Sequence, residues 1–201
     1  HAATALYVTL AYKGFFPKKK LIDYTKKNSL LEEHPNPSIK GVEMATGSLG
    51  HGLPVGCGLA LSGKIKKLKY KTVVLLGDGE CNEGTIWESA MFASSKKLEH
   101  LYIIVDQNGW HGIGKTKDIL NVKTLKKRWA SFGWNSFEID GHNFKQIEKI
   151  FKLKKNGKPT AIIAKTTKGK GISFMENDNN WHYRIPTSEE VILAKRELKI
   201  K

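Results

Sequence analysis

Hydrophobic positions change period several times along this chain. Over residues 2–12 they recur at helical spacing, and a polar stretch over 13–36 follows, broken by a short amphipathic piece at 21–24. Residues 41–52 are rich in glycine and small side chains and run into an apolar segment over 53–67. That segment reads as a buried helix with Pro54 near its start, where a missing N–H leaves no hydrogen bond unmade. Residues 72–76 (TVVLL) and 101–105 (LYIIV) are short continuous apolar runs, the pattern of strands covered on both faces, with a helical period over 85–97 between them. A helix over 125–132, a strand over 135–139, a helix over 144–155 and a strand over 160–165 follow. Thr187 and Glu190 make a capping box for a last helix over 189–198.

Buried strands alternating with amphipathic helices predict an α/β fold. The expected architecture is a three-layer sandwich around a mainly parallel sheet, because parallel strands need crossovers that cover both faces. No internal repeat is visible. In such sheets ligands bind beyond the carboxyl ends of the strands. The residues that follow each strand are therefore the first candidates for chemistry.

Composition narrows the classes. A chain of 201 residues with 40% apolar and 26% charged residues can bury a sizeable core, which excludes disordered and low-complexity readings. No apolar run reaches the length of a membrane span. Cys57 and Cys81 stand far apart in sequence, so neither a disulfide framework nor a cysteine-rich zinc site is encoded, and a reducing cytoplasm fits. The first residue is His1 rather than methionine, and the expectation is a single domain over 1–201 whose start is missing.

The net charge of +15 raises the question of nucleic acid, yet only Arg128, Arg184 and Arg196 are arginines. The other basic residues are lysines, in short runs at the ends of apolar segments, where solvated helix ends are the plain explanation. Base-edge and bidentate phosphate recognition favour arginine. A noncatalytic basic binding module stays open as an alternative, and salt-dependent nucleic-acid affinity would reveal it. The same basic field attracts a phosphorylated ligand.

Two residues stand out at strand ends. Asp78 and Asn108 each follow a predicted buried strand, with one helix between them. If those strands are neighbours, a carboxylate and an amide oxygen converge on one mouth of the sheet, where with a backbone carbonyl they suit a magnesium ion completed by phosphate and water oxygens. Gly79 leaves backbone exposed, and the helix opened by Gly84 and Thr85 points its positive end the same way. Asp-Gly and Asn-Gly are also ordinary turn dipeptides, so two plain loops remain the alternative. Residues 109–116 (GWHGIGKT) match the pattern G-x-x-x-x-G-K-[ST] after a strand, which would make Lys115 and Thr116 the phosphate ligands of a P-loop nucleotidase. A P-loop needs its helix to begin at Gly-Lys-Thr, whereas the clear helical period here begins near Thr124.

The segments ATGSLGHGLPVGCGLALSGK, GDGECNEGTIWES, DQNG with GKTKDI, WASFGW, EIDGHN and KTTKGKG, in this order, resemble the amino-terminal half of transketolase, in particular the separate amino-terminal subunits of split transketolases. The likeness runs from His1 almost to the last helix. It implies a thiamine diphosphate-binding fold, with magnesium (or calcium or manganese) as the metal, and transfer of a two-carbon ketol unit from a ketose to an aldose. It also implies sugar or sugar phosphate substrates, a carboxy-terminal partner subunit with a pyrimidine-binding domain, a dimer of heterodimers, and no nucleic-acid or membrane partner. The alpha chain of a 2-oxoacid dehydrogenase or a deoxyxylulose phosphate synthase-like protein is the neighbouring alternative.

Carried over residue by residue, the resemblance gives the metal to Asp78, Asn108 and the backbone of Trp110. It gives the cofactor to Gly47, Leu49, Gly77, Gly79 and Glu80 as well, and a link between active sites across the dimer to Glu83. His1, His34 and His182 stand near cofactor and sugar, whereas His51, His100, His111 and His142 receive no role. Two departures appear. Ser48 replaces a common proline, and residues 110–113 (WHGI) replace a more aliphatic run, so that Gly112 stands in place of an aliphatic cofactor contact.

Overall fold

Each apolar run read as a strand is one, and the order in which they pair decides where their ends meet. In this computed structural model, residues 2–120, 124–154 and 156–200 are described. The chain forms two compact units, His1–Leu49 and Gly50–Lys201.

The first unit contains α1 (Ala3–Tyr12) and a 3₁₀ turn over Lys18–Asp23, within the stretch read as polar. Its small core gathers Ala3, Tyr7, Leu31 and Ile39, with Phe16, Leu21, Tyr24 and Val42 packed against them. Tyr7 places its ring in this core and donates its hydroxyl to the Glu32 carbonyl at 2.8 Å, which satisfies the one polar atom that burial would otherwise penalise.

The second unit runs α2 (Gly52–Ile65), β1 (Thr72–Gly77), α3 (Gly84–Ser95), β2 (Leu101–Gln107), β3 (Trp110–His111), β4 (Gly114–Lys115), α4 (Thr116–Ile119), α5 (Leu125–Ser131), β5 (Asn135–Asp140), α6 (Phe144–Phe151), β6 (Thr160–Lys165) and α7 (Ser188–Glu197). The main sheet has the order β1-β2-β6-β5, all parallel. Its side chains alternate by the strand period. Leu101, Ile103, Val105, Leu76, Ala161 and Ile163 share one core with residues of α2, α3 and α5. Ile162, Ala164 and Ile139 face the other way and pack with Ile150 of α6. Helices thus cover both faces, which is the expected α/β arrangement. On the α6 side, β1 is covered less well: Val73 and Leu75 are 48% and 64% exposed.

An aromatic group anchors α5. Trp129 is fully buried, with ring centroids of Trp87 and Trp134 at 5.1 and 4.9 Å. Trp134 donates its indole N–H to the Ala90 carbonyl at 3.0 Å and Trp87 to the Cys81 carbonyl at 2.9 Å, tying α3 to its neighbours.

Boundaries follow local chemistry. The capping box is present, with Thr187 Oγ1 accepting from the Glu190 amide at 3.3 Å and Glu190 Oε2 from the Thr187 amide at 2.8 Å. The helix expected over 144–155 ends at Phe151, because Lys152 and Leu153 close a turn before Asn156 and Gly157; Lys155 lies outside the described residues. The β3–β4 hairpin was not visible in the period, since two-residue strands have none.

The alternation predicts a contrast measurable by denaturant unfolding of the chain. Ile163→Ala, in the sheet centre, should lower stability by about 3 kcal/mol. Leu75→Ala, on the less covered face of β1, should cost under about 1 kcal/mol.

Candidate functional site

β1 and β2 are parallel neighbours with Gly77 opposite Asp106, so both strands end at the same rim. The ladder extends one step, the Asp78 amide donating to the Asp106 carbonyl at 3.2 Å, before the chain turns into a 3₁₀ helix over Glu80–Asn82. The Asp78 side chain turns inward and is 2% exposed. Its Oδ1 accepts from the Gly79 amide at 2.9 Å, and its Oδ2 from the Gly109 amide at 2.9 Å and from Thr116 Oγ1 at 3.1 Å. The residue after β1 therefore holds both the turn after β2 and the start of α4. Asn108 belongs to that turn: its Oδ1 accepts from the Trp110 amide at 2.9 Å and its Nδ2 donates to Asp106 Oδ2 at 3.2 Å. The other oxygen of Asp106 accepts from the hydroxyl of Thr166, just beyond β6.

All three donors to Asp78 are neutral. Burial pushes its carboxyl above the ordinary carboxylate value, the hydrogen bonds from Gly109, Thr116 and Gly79 pull it back without prevailing, and the nearby Asp106 charge raises it further. A divalent cation beside such a group would favour its charged form. The donors fit one: a carboxylate with about four acceptor positions has one left after three hydrogen bonds, and an amide oxygen stands in the adjoining turn. Among the described residues no three His, Cys, Asp or Glu side chains gather as a metal site. The oxygens here are a partial set that phosphate oxygens could complete. A cavity of ≈ 210 Å³ opens beside Asp78, with Lys115 and Lys117 in its wall.

Gly79 carries no side chain because there is no room for one: a Cβ there would lie 2.8 Å from the His111 ring. His111 Nε2 lies 3.1 Å from Asn82 Nδ2, within hydrogen-bond distance. Glu80 uses both oxygens on backbone, accepting from the Gly50 amide at 2.8 Å and the Gly77 amide at 3.1 Å, and so fixes the loop before α2 to the end of β1. Glu83 is exposed at the N-cap of α3. His182 ends the 3₁₀ helix Asn179–His182; burial, and then the charge of Lys168, lower its pKa, so that the imidazole is neutral at pH 7.

Four expected residues belong to the first unit. His34 is exposed, and Gly47, with φ +144°, lies directly against it, a Cβ at Gly47 meeting the imidazole at 3.1 Å. Leu49 is exposed at the end of the same loop. His1 lies outside the described residues.

The P-loop reading does not fit this geometry. Residues 110–115 form the β3–β4 hairpin, with Trp110 opposite Lys115 and the Thr116 amide closing onto the Gly109 carbonyl at 2.9 Å. A helix does begin at Thr116, but it has four residues, and the Thr116 hydroxyl already serves Asp78. Lys115 Nζ lies 5.5 Å from the centroid of the Trp110 ring.

The family model described as the transketolase thiamine diphosphate-binding domain matches residues 1–201. The chain belongs to that transketolase family. It is 41% identical over 200 residues to one subunit of the apulose-4-phosphate transketolase of Phocaeicola vulgatus, covering 98% of this chain and 71% of that one. The protein of the same description from Actinobacillus succinogenes is 44% identical over 201 residues, covering 99% and 73%. The crystal structure of Campylobacter jejuni transketolase superposes with a TM-score of 0.86 at 30% identity, over 91% of this chain and 30% of that one. This transketolase-family chain thus spans under a third of the length of that solved enzyme.

Sequence reasoning found Asp78 and Asn108 but missed the residues that hold them. Thr116 sat inside the P-loop match, Asp106 directly after the apolar run 101–105, and Thr166 in a lysine-rich loop.

Removing the hydroxyl with Thr116→Val should destabilise the chain by about 1–2 kcal/mol at pH 7. Because that bond favours the ionised carboxylate, the cost should shrink below the raised pKa of Asp78. The contribution of Asp78 itself has the matching sign: a pKa raised on folding stabilises fully below the ordinary carboxylate range and is lost as pH rises through the raised value. Denaturant unfolding of both chains between pH 4 and pH 8 measures the two trends. A cost independent of pH would refute the assignment of the bond to the ionised form.

Proposed function

We propose that this chain is the diphosphate-anchoring amino-terminal subunit of a transketolase, transferring a two-carbon ketol unit from a ketose to an aldose and acting over 1–201 as one cofactor-binding domain. The observation that carries the reading is the buried carboxylate of Asp78, bracketed by the Asn108 turn at one rim and surrounded by neutral donors. A magnesium ion, or calcium or manganese, held by Asp78, Asn108 and the backbone carbonyl of Trp110 would relieve that burial and receive the diphosphate.

Thiamine diphosphate, when bound, supplies a nucleophilic carbon and an electron sink for carbon–carbon cleavage. The chain's own residues then have these roles. Gly77 and Gly79 admit the diphosphate close to the backbone, and Glu80 holds the strand end that carries them. Gly47 and Leu49 would contact the cofactor ring. His34, with His1, addresses the sugar hydroxyls, and neutral His182 accepts a hydrogen bond or a proton near the phosphate. Glu83, exposed at the start of α3, contributes to a link across the dimer.

Support for a split enzyme comes from the relatives whose descriptions name them as single subunits of a transketolase. The partner would be a carboxy-terminal subunit with the pyrimidine-binding domain, in a dimer of heterodimers. A substrate bearing phosphate suits the +15 charge. Among the described residues no helix is long and apolar enough to cross a membrane, and the cytoplasm is the proposed location.

Titration calorimetry of the chain reassembled with a carboxy-terminal transketolase subunit tests this. Thiamine diphosphate uptake should require magnesium, and Asp78→Ala should weaken it by about a hundredfold, the effect of losing a charged ligand worth roughly 3 kcal/mol. Ketol transfer should appear with a ketose donor rather than pyruvate, and only when both subunits are present. Absence of magnesium-dependent uptake, or transfer by this chain alone, would overturn the corresponding part of the reading.

A further inference from the structure

The segment before α7 returns to the hairpin and is fixed there. Asn179 Nδ2 donates to the Gly112 carbonyl at 3.1 Å. Three residues on, the rings of His182 and Tyr183 meet edge to face with centroids 4.6 Å apart. Both reach toward Gly112: a Cβ built there would stand 3.0 Å from the Tyr183 hydroxyl and 3.2 Å from His182 Nε2, tighter than ordinary contact. The φ of Gly112 is not in the left-handed region, so a side chain there is opposed by the two neighbouring rings, which would have to give by a few tenths of an ångström, and not by backbone conformation. Gly109 is the reverse case, with φ +81° and nothing near its missing Cβ. The far side of the segment is also held, since Arg184 stacks on Trp181 at 4.3 Å and pairs with Glu190 at 2.5 Å.

We propose that Gly112 is a positioning residue that seats His182 and Tyr183 on the hairpin turn, so that the Tyr183 phenol forms the wall of the cofactor and sugar site where an aliphatic residue at this position would otherwise stand. The inference deepens the transketolase reading and rests on it for the identity of the site. Its chemical content is an exchange of apolar surface for a hydroxyl, on a tyrosine that is 71% exposed. That wall favours a hydroxyl or phosphate oxygen of the substrate over an apolar face.

The test has two readouts, both on the full chain reassembled with its carboxy-terminal partner. The amides of Asn180 and Arg184 are hydrogen-bonded, to Asp178 Oδ1 and to the Asn180 carbonyl, so hydrogen exchange over 179–184 reports the seating without any coenzyme. Gly112→Val should speed that exchange about tenfold by overpacking, and Tyr183→Ala in the same chain should remove most of the effect. Gly112→Ala gives the same direction with a smaller change should the valine variant not fold. Tyr183→Phe should keep the protection and raise the KM for the ketose about fivefold to tenfold with kcat changed less than about twofold. Unchanged exchange in both Gly112 variants, an equal effect of Gly112→Val with and without the Tyr183 ring, or an unchanged KM in Tyr183→Phe overturns the proposal. Failure of the unmodified protein to take up thiamine diphosphate with magnesium overturns the functional reading instead, and the exchange experiment still decides whether Gly112 is the seat.

Discussion

A carboxylate taken out of water and held by neutral donors is the constraint on which this site rests. Asp78 is placed there by the last step of the β1–β2 ladder and kept there by two amides and a hydroxyl from three separate points of the chain. Neutral donors lower the cost of burying the charge but do not cancel it, since the pKa stays raised. The same bonds that partly compensate it draw the turn after β2 and the start of α4 toward the end of β1. Assembly of the site and destabilisation of its carboxylate are thus one event, and a hard cation would convert the second into binding energy.

The sheet decides which residues can take part. Parallel pairing puts the carboxyl ends of β1, β2 and β6 on one rim, so Asp78, the Asn108 turn and Thr166 gather although they come from three separate β-α units. Asp106 links the last two through its two oxygens, one to Asn108 and one to Thr166. Removing either neighbour would leave an acidic oxygen at the rim without its donor, which is why these polar residues behave as one network.

The strands were legible because continuous apolar runs of five or six residues have few other uses, and Asp78 and Asn108 were legible because they follow such runs. Strand order was not: periodicity says which face a residue takes but not which strand lies beside it, so the convergence of the two residues was conditional on β1 and β2 being neighbours. Thr116 donates to Asp78 across thirty-eight positions of sequence, and no local pattern encodes such a pair. The His111 ring over Gly79 is hidden for the same reason, and a histidine given no role from sequence proves to be the reason that glycine stays bare. The family resemblance supplied Gly47 and His34 as two separate residues; that they touch is a property of the folded loop.

Asp78 and Glu80 show how far environment outweighs residue type. Two carboxylates two positions apart leave the same strand. The shorter points into the sheet's rim, is buried, and keeps acceptor capacity toward the Asn108 turn. The longer reaches back along the chain and engages both oxygens with the amides of Gly50 and Gly77, as a brace between the loop before α2 and the strand end. Exchanging the two would defeat both roles. A glutamate at 78 would overfill the space now closed by Gly109 and Thr116, and an aspartate at 80 is one methylene short of spanning Gly50 and Gly77. The alternation of a binding carboxylate with a bracing one is therefore set by side-chain length and by which way the backbone turns after β1, and a motif that specifies Asp-Gly-Glu in this order specifies a mechanical support together with the ligand it supports.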